Sequence, residues 1–186
     1  MERNKMMDRE ELLAAFRGTM SQVAATVYAI TTCGENGGGE GGEGGEGGGT
    51  NAGTRHGILA TAVSSLSFDP PSLLVCINQS ASLHAPLGQA ERFCVNVLGT
   101  ANRDVADCFA SAASGEDRFA VGDWKQIEGL PVLVSAQSSL LCRRVLRQDF
   151  GTHSIFIGEL QAAWHRGGMV PLVYYDRNYI DLAAAL

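Results

Sequence analysis

The sequence predicts a mainly β domain: an antiparallel barrel with a few peripheral helices. Three observations point there. Strand-length runs rich in β-branched and aromatic residues are numerous, only two or three short segments carry helical spacing, and the two kinds do not alternate regularly. The last observation argues against a doubly wound parallel sheet. Closing an antiparallel sheet on itself removes exposed strand edges, so a barrel suits this many strands. The chain has 186 residues, 45% of them apolar, enough for one domain over residues 1–186 with a sizeable core.

The elements follow in order. Asp8-Arg9-Glu10-Glu11 has the form of a capping box, and Leu12, Leu13, Phe16 and Met20 recur at helical spacing. A helix is predicted from about Arg9 to Met20. Thr26 to Thr32 is β-branched and aromatic and reads as the first strand. Residues 34–53 are low complexity, with Gly-Gly-Glu repeated. Glycine loses the most backbone entropy on ordering and brings no side chain to bury. This segment is expected to be a flexible insertion joining two strands. A G-x-G-x-x-G spacing at Gly42, Gly44 and Gly47 is not a dinucleotide fingerprint, because its glutamates repel a pyrophosphate and no helical pattern follows.

The stretch from Gly57 to Leu98 organises the chain. It holds three apolar runs of strand length, Ile58–Val63, Leu73–Ile77 and Phe93–Leu98. Ser64 to Pro71 lies between the first two. Its prolines cannot donate to a ladder, so an extended turn is expected there. Asn78 to Ser82 is small and polar and is expected to open a helix. Thr100 is placed to cap a short helix through Asn102, Val105, Ala106 and Phe109. Ser111 to Val121 reads as loop, and Gly122 to Gly129 as a polar stretch around Trp124. Val132–Arg147 and Ser154–Trp164 read as long strands about a turn at Asp149–Thr152. Val170–Tyr175 and Tyr179–Leu182 read as a closing strand pair.

Composition narrows the function. The net charge is −6, and setting aside Glu35, Glu40, Glu43 and Glu46 of the glycine-rich segment leaves −2. No basic footprint for nucleic acid is present, and no apolar run approaches the ~20 residues that span a bilayer. The N-terminus lacks the apolar core of a signal peptide, so a cytoplasmic protein is expected. Five cysteines form no C-x-x-C pair, and most are expected to be reduced and buried; Cys76, just before Asn78, is a candidate pocket wall. Ser64 and Ser65 lack a nucleophile elbow. His56, His84, His153 and His165 lack metal-ligand spacing, so no metal site is expected. Enzymatic chemistry would therefore reside in a bound cofactor.

The run Ala62-Val63-Ser64-Ser65-Leu66-Ser67-Phe68-Asp69-Pro70-Pro71-Ser72-Leu73-Leu74-Val75-Cys76 resembles the signature of the flavin reductase-like domain family. The resemblance continues at Asn78–Ser82, Phe93–Leu98, Phe109-Ala110 and Gly129–Leu133. It returns at Gly151–Glu159 and ends at Pro171–Tyr175. It implies a six-stranded, FMN-binding, Greek-key-like split barrel that forms a homodimer. It also implies an NAD(P)H:flavin oxidoreductase that reduces FMN or FAD and supplies diffusible reduced flavin to a separate monooxygenase. A flavin-shuttling module without turnover, and a split-barrel oxidase with tightly bound flavin, are the alternatives.

By the same resemblance, Ala62, Val63, Ser64, Ser65 and Leu66 line the isoalloxazine, mostly through backbone groups. Cys76, Ile77, Asn78 and Gln79 run beside the ring and ribityl chain. Ser80 and Ser82 bond the phosphate at the start of the following helix. His153 lies by the nicotinamide as the catalytic candidate. Tyr174 and Tyr175 alternate across a strand, so one is expected to be core and the other a pocket wall, with Tyr174 the cofactor-binding candidate. The family usually has Gly-Asp-His where this chain has Gly151-Thr152-His153, so an acid beside the histidine is lost. No arginine near His153 is placed for a 2′-phosphate, which leans to NADH over NADPH. Read from the residues alone, the serines are turn residues satisfying their own backbone, Ser82 is a helix cap, and His153 is structural.

Overall fold

The structure, a computed structural model, describes residues 6–34, 53–111 and 115–182. Seven strands form its main sheet: β2 (Tyr28–Cys33), β3 (Arg55–Ala60), β4 (Val63–Phe68), β5 (Pro71–Asn78), β6 (Arg92–Val97), β9 (Ser138–Phe150) and β10 (His153–His165). They lie in the order β3-β2-β6-β9-β10-β5-β4, and every neighbouring pair is antiparallel. The two edge strands, β3 and β4, are consecutive in the chain and joined only by Thr61 and Ala62. Laid flat, the sheet would separate its edges by six spacings of ~4.8 Å, roughly 29 Å. A two-residue link reaches at most about 11 Å. The sheet therefore curls until its edges face each other. β3 and β4 are not ladder partners, so a slit is left between them.

A small sheet of β1 (Ala25–Thr26), β11 (Leu172–Tyr175) and β12 (Asn178–Asp181) covers one side, and β7 (Trp124–Ile127) pairs with β8 (Leu130–Leu133). The described residues hold three α-helices: α1 (Arg9–Ser21), α2 (His84–Gln89) and α3 (Arg103–Ala110). Alternation along β5 sends Leu73, Val75 and Ile77 inward, where they meet Ile30, Phe93, Val95 and Phe156. Leu83 and Leu87, fully buried, bring α2 onto this core. A second core lies under α3, with Val105, Phe109, Phe119 and Leu133. A Cβ on Gly158 would sit 2.7 Å from the Cys142 Cβ, so β10 approaches β9 and Phe93 more closely than any other residue allows.

Several expectations are corrected. The barrel is split, as the resemblance implies, rather than closed as strand count alone suggested, and its main sheet has seven strands rather than six. Ser64–Phe68 is strand, because β4 ladders with β5 at Ser64↔Leu74 and Ser65↔Leu73; the turn shrinks to Asp69-Pro70. Val132–Arg147 is two strands, since a turn with Ala136 N–H donating to Leu133 O interrupts it. Thr100 opens a short 3₁₀ turn, and the helix begins at Arg103. The capping box at Asp8 and Glu11 forms as read. Cys94 and Cys142 are buried, while Cys33, Cys76 and Cys108 are half-buried; all five are free. Burial pushes the Cys142 thiol up to about 12. The flexible-insertion expectation for residues 34–53 falls almost wholly outside the described residues. The insertion does connect the paired ends of a hairpin, where Cys33 opposes Arg55.

One buried polar side chain ties the barrel together. Asn96 Nδ2 donates to Ala29 O (3.1 Å) and Thr31 Oγ1 (3.3 Å). Its Oδ1 accepts from Leu133 N (2.9 Å) and Ser139 Oγ (3.2 Å). Four strands thus meet on one fully buried amide, and nothing on it is left unpaired. Asn96→Ala strands the Leu133 N–H without its acceptor and should lower stability by about 2–4 kcal/mol. Urea unfolding checks this; a change within experimental error would show that the surrounding groups re-pair.

Candidate active site

The slit exposes backbone that a complete barrel would hide. Cys76 N–H donates to Ala62 O (2.9 Å) at the start of β4. Alternate residues of a strand face the same neighbour, so Asn78 directs its N–H past the end of β4. The chain then turns sharply. Asn78 Oδ1 accepts from Ser80 N (2.9 Å) and Ser80 Oγ (2.8 Å), and Asn78 O accepts from Ala81 N (2.9 Å). These bonds fold residues 78–82 into a tight loop above the slit.

A cation reaches this loop from the far side. Arg118 Nη1 donates to Ser82 Oγ (3.0 Å) and to Gly57 O (2.6 Å) on the edge strand β3. Its placement follows from Phe119, which is buried against Phe109 and Trp124 with ring centroids 5.4 and 5.0 Å away. The neighbouring Arg55 is committed elsewhere, with Nε 2.7 Å from Glu116 Oε2. That ion pair holds the Glu116 carboxyl below its ordinary range. Arg118 was not singled out from the sequence. It sits in a stretch that reads as loop, and its partners lie 36 and 61 residues away. The available signal was a cation directly before an aromatic residue, which is weak.

His153 stands on the other side of the loop, exposed and paired with Asn78 across β5 and β10. Gln79 fastens the two together: its N–H donates to Thr152 O (2.9 Å) and its Nε2 to His153 O (3.3 Å). Thr152 Oγ1 lies 2.9 Å from His153 Nδ1, so a neutral hydroxyl occupies the place of the family's acid. The Nε2 of His153 has no hydrogen-bond partner among the described residues, and the residue is exposed.

Behind His153 a polar chain pins α2 to the barrel. Ser154, fully buried, donates from Oγ to Asp149 Oδ1 (2.6 Å). Its only proton is thus used, so His84 Nε2, 2.8 Å away, is the donor to Ser154 Oγ. Arg147 grips Asp149 through two bonds of 2.9 and 3.1 Å. The Arg147 guanidinium, and then the Ser154 hydroxyl, hold the Asp149 carboxyl below its ordinary value.

The structure gathers most of the sequence candidates but not all. Ala62, Val63, Cys76, Asn78, Gln79, Ser80, Ser82 and His153 lie around one end of the slit. Ile77 is buried in the barrel and offers only backbone. Ser64 Oγ is turned to Ser65 O (3.1 Å), which is the local self-satisfying role. Ser65 and Leu66 run down β4 away from the loop, Leu66 by roughly 13 Å from Ala62 at the strand rise. Ser82 does not cap a helix. α2 starts after Leu83, has no side-chain cap, and is only six residues long. An anion at Ser82 would therefore rely on Arg118 and not on a helix end. Neither Tyr174 nor Tyr175 is core; Leu172 fills that role in β11. Tyr174 walls a cleft of about 240 Å³ with Leu59, Ala60, Thr61 and Tyr179.

The description "Flavin reductase like domain" fits residues 20–183 of this chain as a sequence family. The FMN reductase (NADH) RutF of Pseudomonas syringae pv. syringae (strain B728a) is 39% identical over 169 residues, covering 90% of this chain and 85% of that protein. The reductase component of an FADH(2)-dependent resorcinol hydroxylase from Rhizobium sp. (strain MTP-10005) is 36% identical, covering 91% and 87%. Among solved structures, the flavin reductase PheA2 superposes with a TM-score of 0.73 at 26% identity, covering 95% of this chain and 98% of that one.

The Asp149 cluster makes a pH prediction. A depressed carboxylate contributes stability that is complete above its unfolded pKa, ~3.9, and is lost as pH falls through the lower folded value. Asp149→Asn should lower the urea midpoint at pH ~7, and the gap to the parent should narrow steadily as pH falls below ~3.9 toward the folded-state value. A gap of constant size over that range would mean that the ionised form contributes nothing.

Proposed function

The chain belongs to the flavin reductase like domain family, and we propose that it uses NADH to reduce FMN or FAD and releases the reduced flavin to a separate flavin-dependent monooxygenase. The observation that carries the reading is the slit itself. It has free strand-end backbone along its side and Ser82 with Arg118 at its end. That combination fits a flat ring with an anionic tail. Ala62 O is already engaged, so the ring would meet the N–H of Asn78 and the half-buried flank of Cys76.

The chemistry supplied by the bound pair is a hydride moving from nicotinamide C4 to flavin N5, with one proton from solvent completing the reduced flavin. The chain's own residues orient rather than react. Arg118 and Ser82 hold the flavin phosphate as a charge-assisted site, and Ser80, whose N–H and hydroxyl both donate to Asn78 Oδ1, shapes the loop around it. His153, its Nδ1 fixed on Thr152, turns Nε2 toward the nicotinamide carboxamide or phosphates. Gln79 keeps His153 and the phosphate loop in register, so both ligands are placed by one rigid turn. None of these contacts is covalent, and each neutral hydrogen bond contributes only ~0.5–1.5 kcal/mol, which suits a flavin that leaves after reduction.

A homodimer in the cytoplasm completes the reading. α1 buries no residue, and its Leu12, Leu13, Phe16 and Met20 are 44–61% exposed, a face that a second copy would cover. Phe68 and Phe150, 93% and 83% exposed, add to the apolar surface. Five free thiols suit a reducing compartment that also supplies NADH. Among the described residues no helix is long and apolar enough to cross a membrane.

The direct test follows NADH loss with FMN, FAD or riboflavin added in turn; no turnover with any of them would refute the assignment. Arg118→Ala should raise the KM for FMN by ~10–100-fold and leave riboflavin, which lacks the phosphate, nearly unchanged. His153→Ala should lower kcat/KM for NADH by ~10–100-fold, about 1.4–2.7 kcal/mol, with flavin affinity unchanged. Equal losses for both ligands would move His153 out of the nicotinamide site. Sedimentation should return about twice the 19.7 kDa chain mass, and an active monomer would refute the dimer.

A further inference from the structure

Beyond the phosphate end of the slit the structure holds a second cleft, which the reading above does not use. It occupies about 490 Å³ between the β3 end of the β2–β3 hairpin and α2. Cys33, Thr54, His56, Ala85, Pro86 and Gln89 line it. We infer that this cleft receives the adenylate half of FAD, which makes FAD the better flavin substrate. The inference rests on the flavin-reductase reading and extends it to the choice of flavin.

Position is the first argument. His56 directly precedes Gly57, whose carbonyl receives Arg118 Nη1 at 2.6 Å. Ala85 follows three residues after Ser82, whose Oγ receives the same nitrogen. The cleft and the phosphate pair therefore share both walls, β3 on one side and the chain entering α2 on the other. A dinucleotide whose first phosphate sits at Ser82 and Arg118 has its remaining half directed along those walls.

Chemistry is the second. The volume falls within the ~300–1,000 Å³ of ordinary small-molecule sites. The cleft offers a flat imidazole, a proline ring and an alanine methyl for an aromatic base. The Gln89 amide and Thr54 bring donor and acceptor groups suited to a base edge. The His56 ring lies against bare backbone: a Cβ on Gly34 would come within 3.1 Å of its Nε2. No carboxylate is among the described residues that line the cleft, so nothing in that lining repels a nucleotide. Burial pushes the Cys33 thiol up, which keeps that wall neutral.

The test compares FAD with FMN in the full chain. The parent should bind FAD at least ~5-fold more tightly than FMN, measured by flavin fluorescence quenching. Ala85 is exposed, so Ala85→Trp fills the cleft without disturbing the core. It should raise the KD and KM for FAD by ~10-fold or more and leave those for FMN within about twofold. The retained FMN turnover certifies that the variant is folded. His56→Ala should shift FAD alone in the same direction by ~3–10-fold, on the scale of one lost base-stacking contact. Free adenosine should compete with FAD and not with FMN. Equal effects on both flavins, or none on either, overturn the inference while normal FMN reduction leaves the reductase reading intact. If Ala85→Trp raises the KM for NADH but not for reduced nicotinamide mononucleotide, and flavin binding is unchanged, the cleft serves the adenylate of the other dinucleotide and the FAD assignment is wrong. A parent that reduces neither flavin sinks the reductase reading itself.

Discussion

A two-residue link between the outermost strands of a seven-stranded sheet decides the rest of this structure. Thr61 and Ala62 join β3 to β4, which stand at opposite ends of the strand order. So short a connection forces the sheet to curl, yet no ladder forms across the join. The result is a barrel with two unpaired edges facing each other. Unpaired strand edges usually invite aggregation. Here they flank the slit in which we propose that the flavin lies, with the Gly57 carbonyl on one side and the end of β5 on the other.

The barrel interior gives that slit its rigidity. Phe93, Phe156, Val75 and Ile77 fill the centre, and Leu83 and Leu87 bring α2 onto it. Asn96 fastens four strands through one amide with all of its bonds made. The chain from Arg147 through Asp149 and Ser154 to His84 then anchors the first residue of α2 against β10. The loop of residues 78–82, with its hydroxyls at Ser80 and Ser82, is therefore held at both ends. Transfer between two planar ligands depends on their relative placement, so a stiff loop is the main contribution such a protein makes.

Much of this was legible in the sequence, and the failures have physical causes. The strand pair turning at Gly151 and Thr152, the capping box at Asp8 and the closing pair at Tyr175 and Asn178 follow from local periodicity and turn residues, which act over a few positions. Ser64–Phe68 was misread because two prolines suggested a break. In the structure Pro71 opens β5 and the turn needs only Asp69 and Pro70. Ser82 was misread as a helix cap because its hydroxyl suits that role, whereas the Asn78 turn and Arg118 claim the segment first. Arg118 itself was invisible, since its meaning depends on contacts 36 and 61 residues away. Tyr174 lines a cleft beside Thr61, a position set by the pairing of β11 with β1 and β12, which the sequence does not display.

The central claim is that flavin occupies the slit with its phosphate at Ser82 and Arg118. Titrating FMN into the isotopically labelled protein and following the amide and guanidinium signals by NMR tests it most directly. The account predicts the largest shifts at Asn78, Gln79, Ser80, Ser82 and the Arg118 side chain, with riboflavin sparing Arg118. Shifts concentrated instead at residues away from the slit, such as Ile127, Val132 and Trp164, which line a cleft of about 250 Å³, with Arg118 silent, would contradict it.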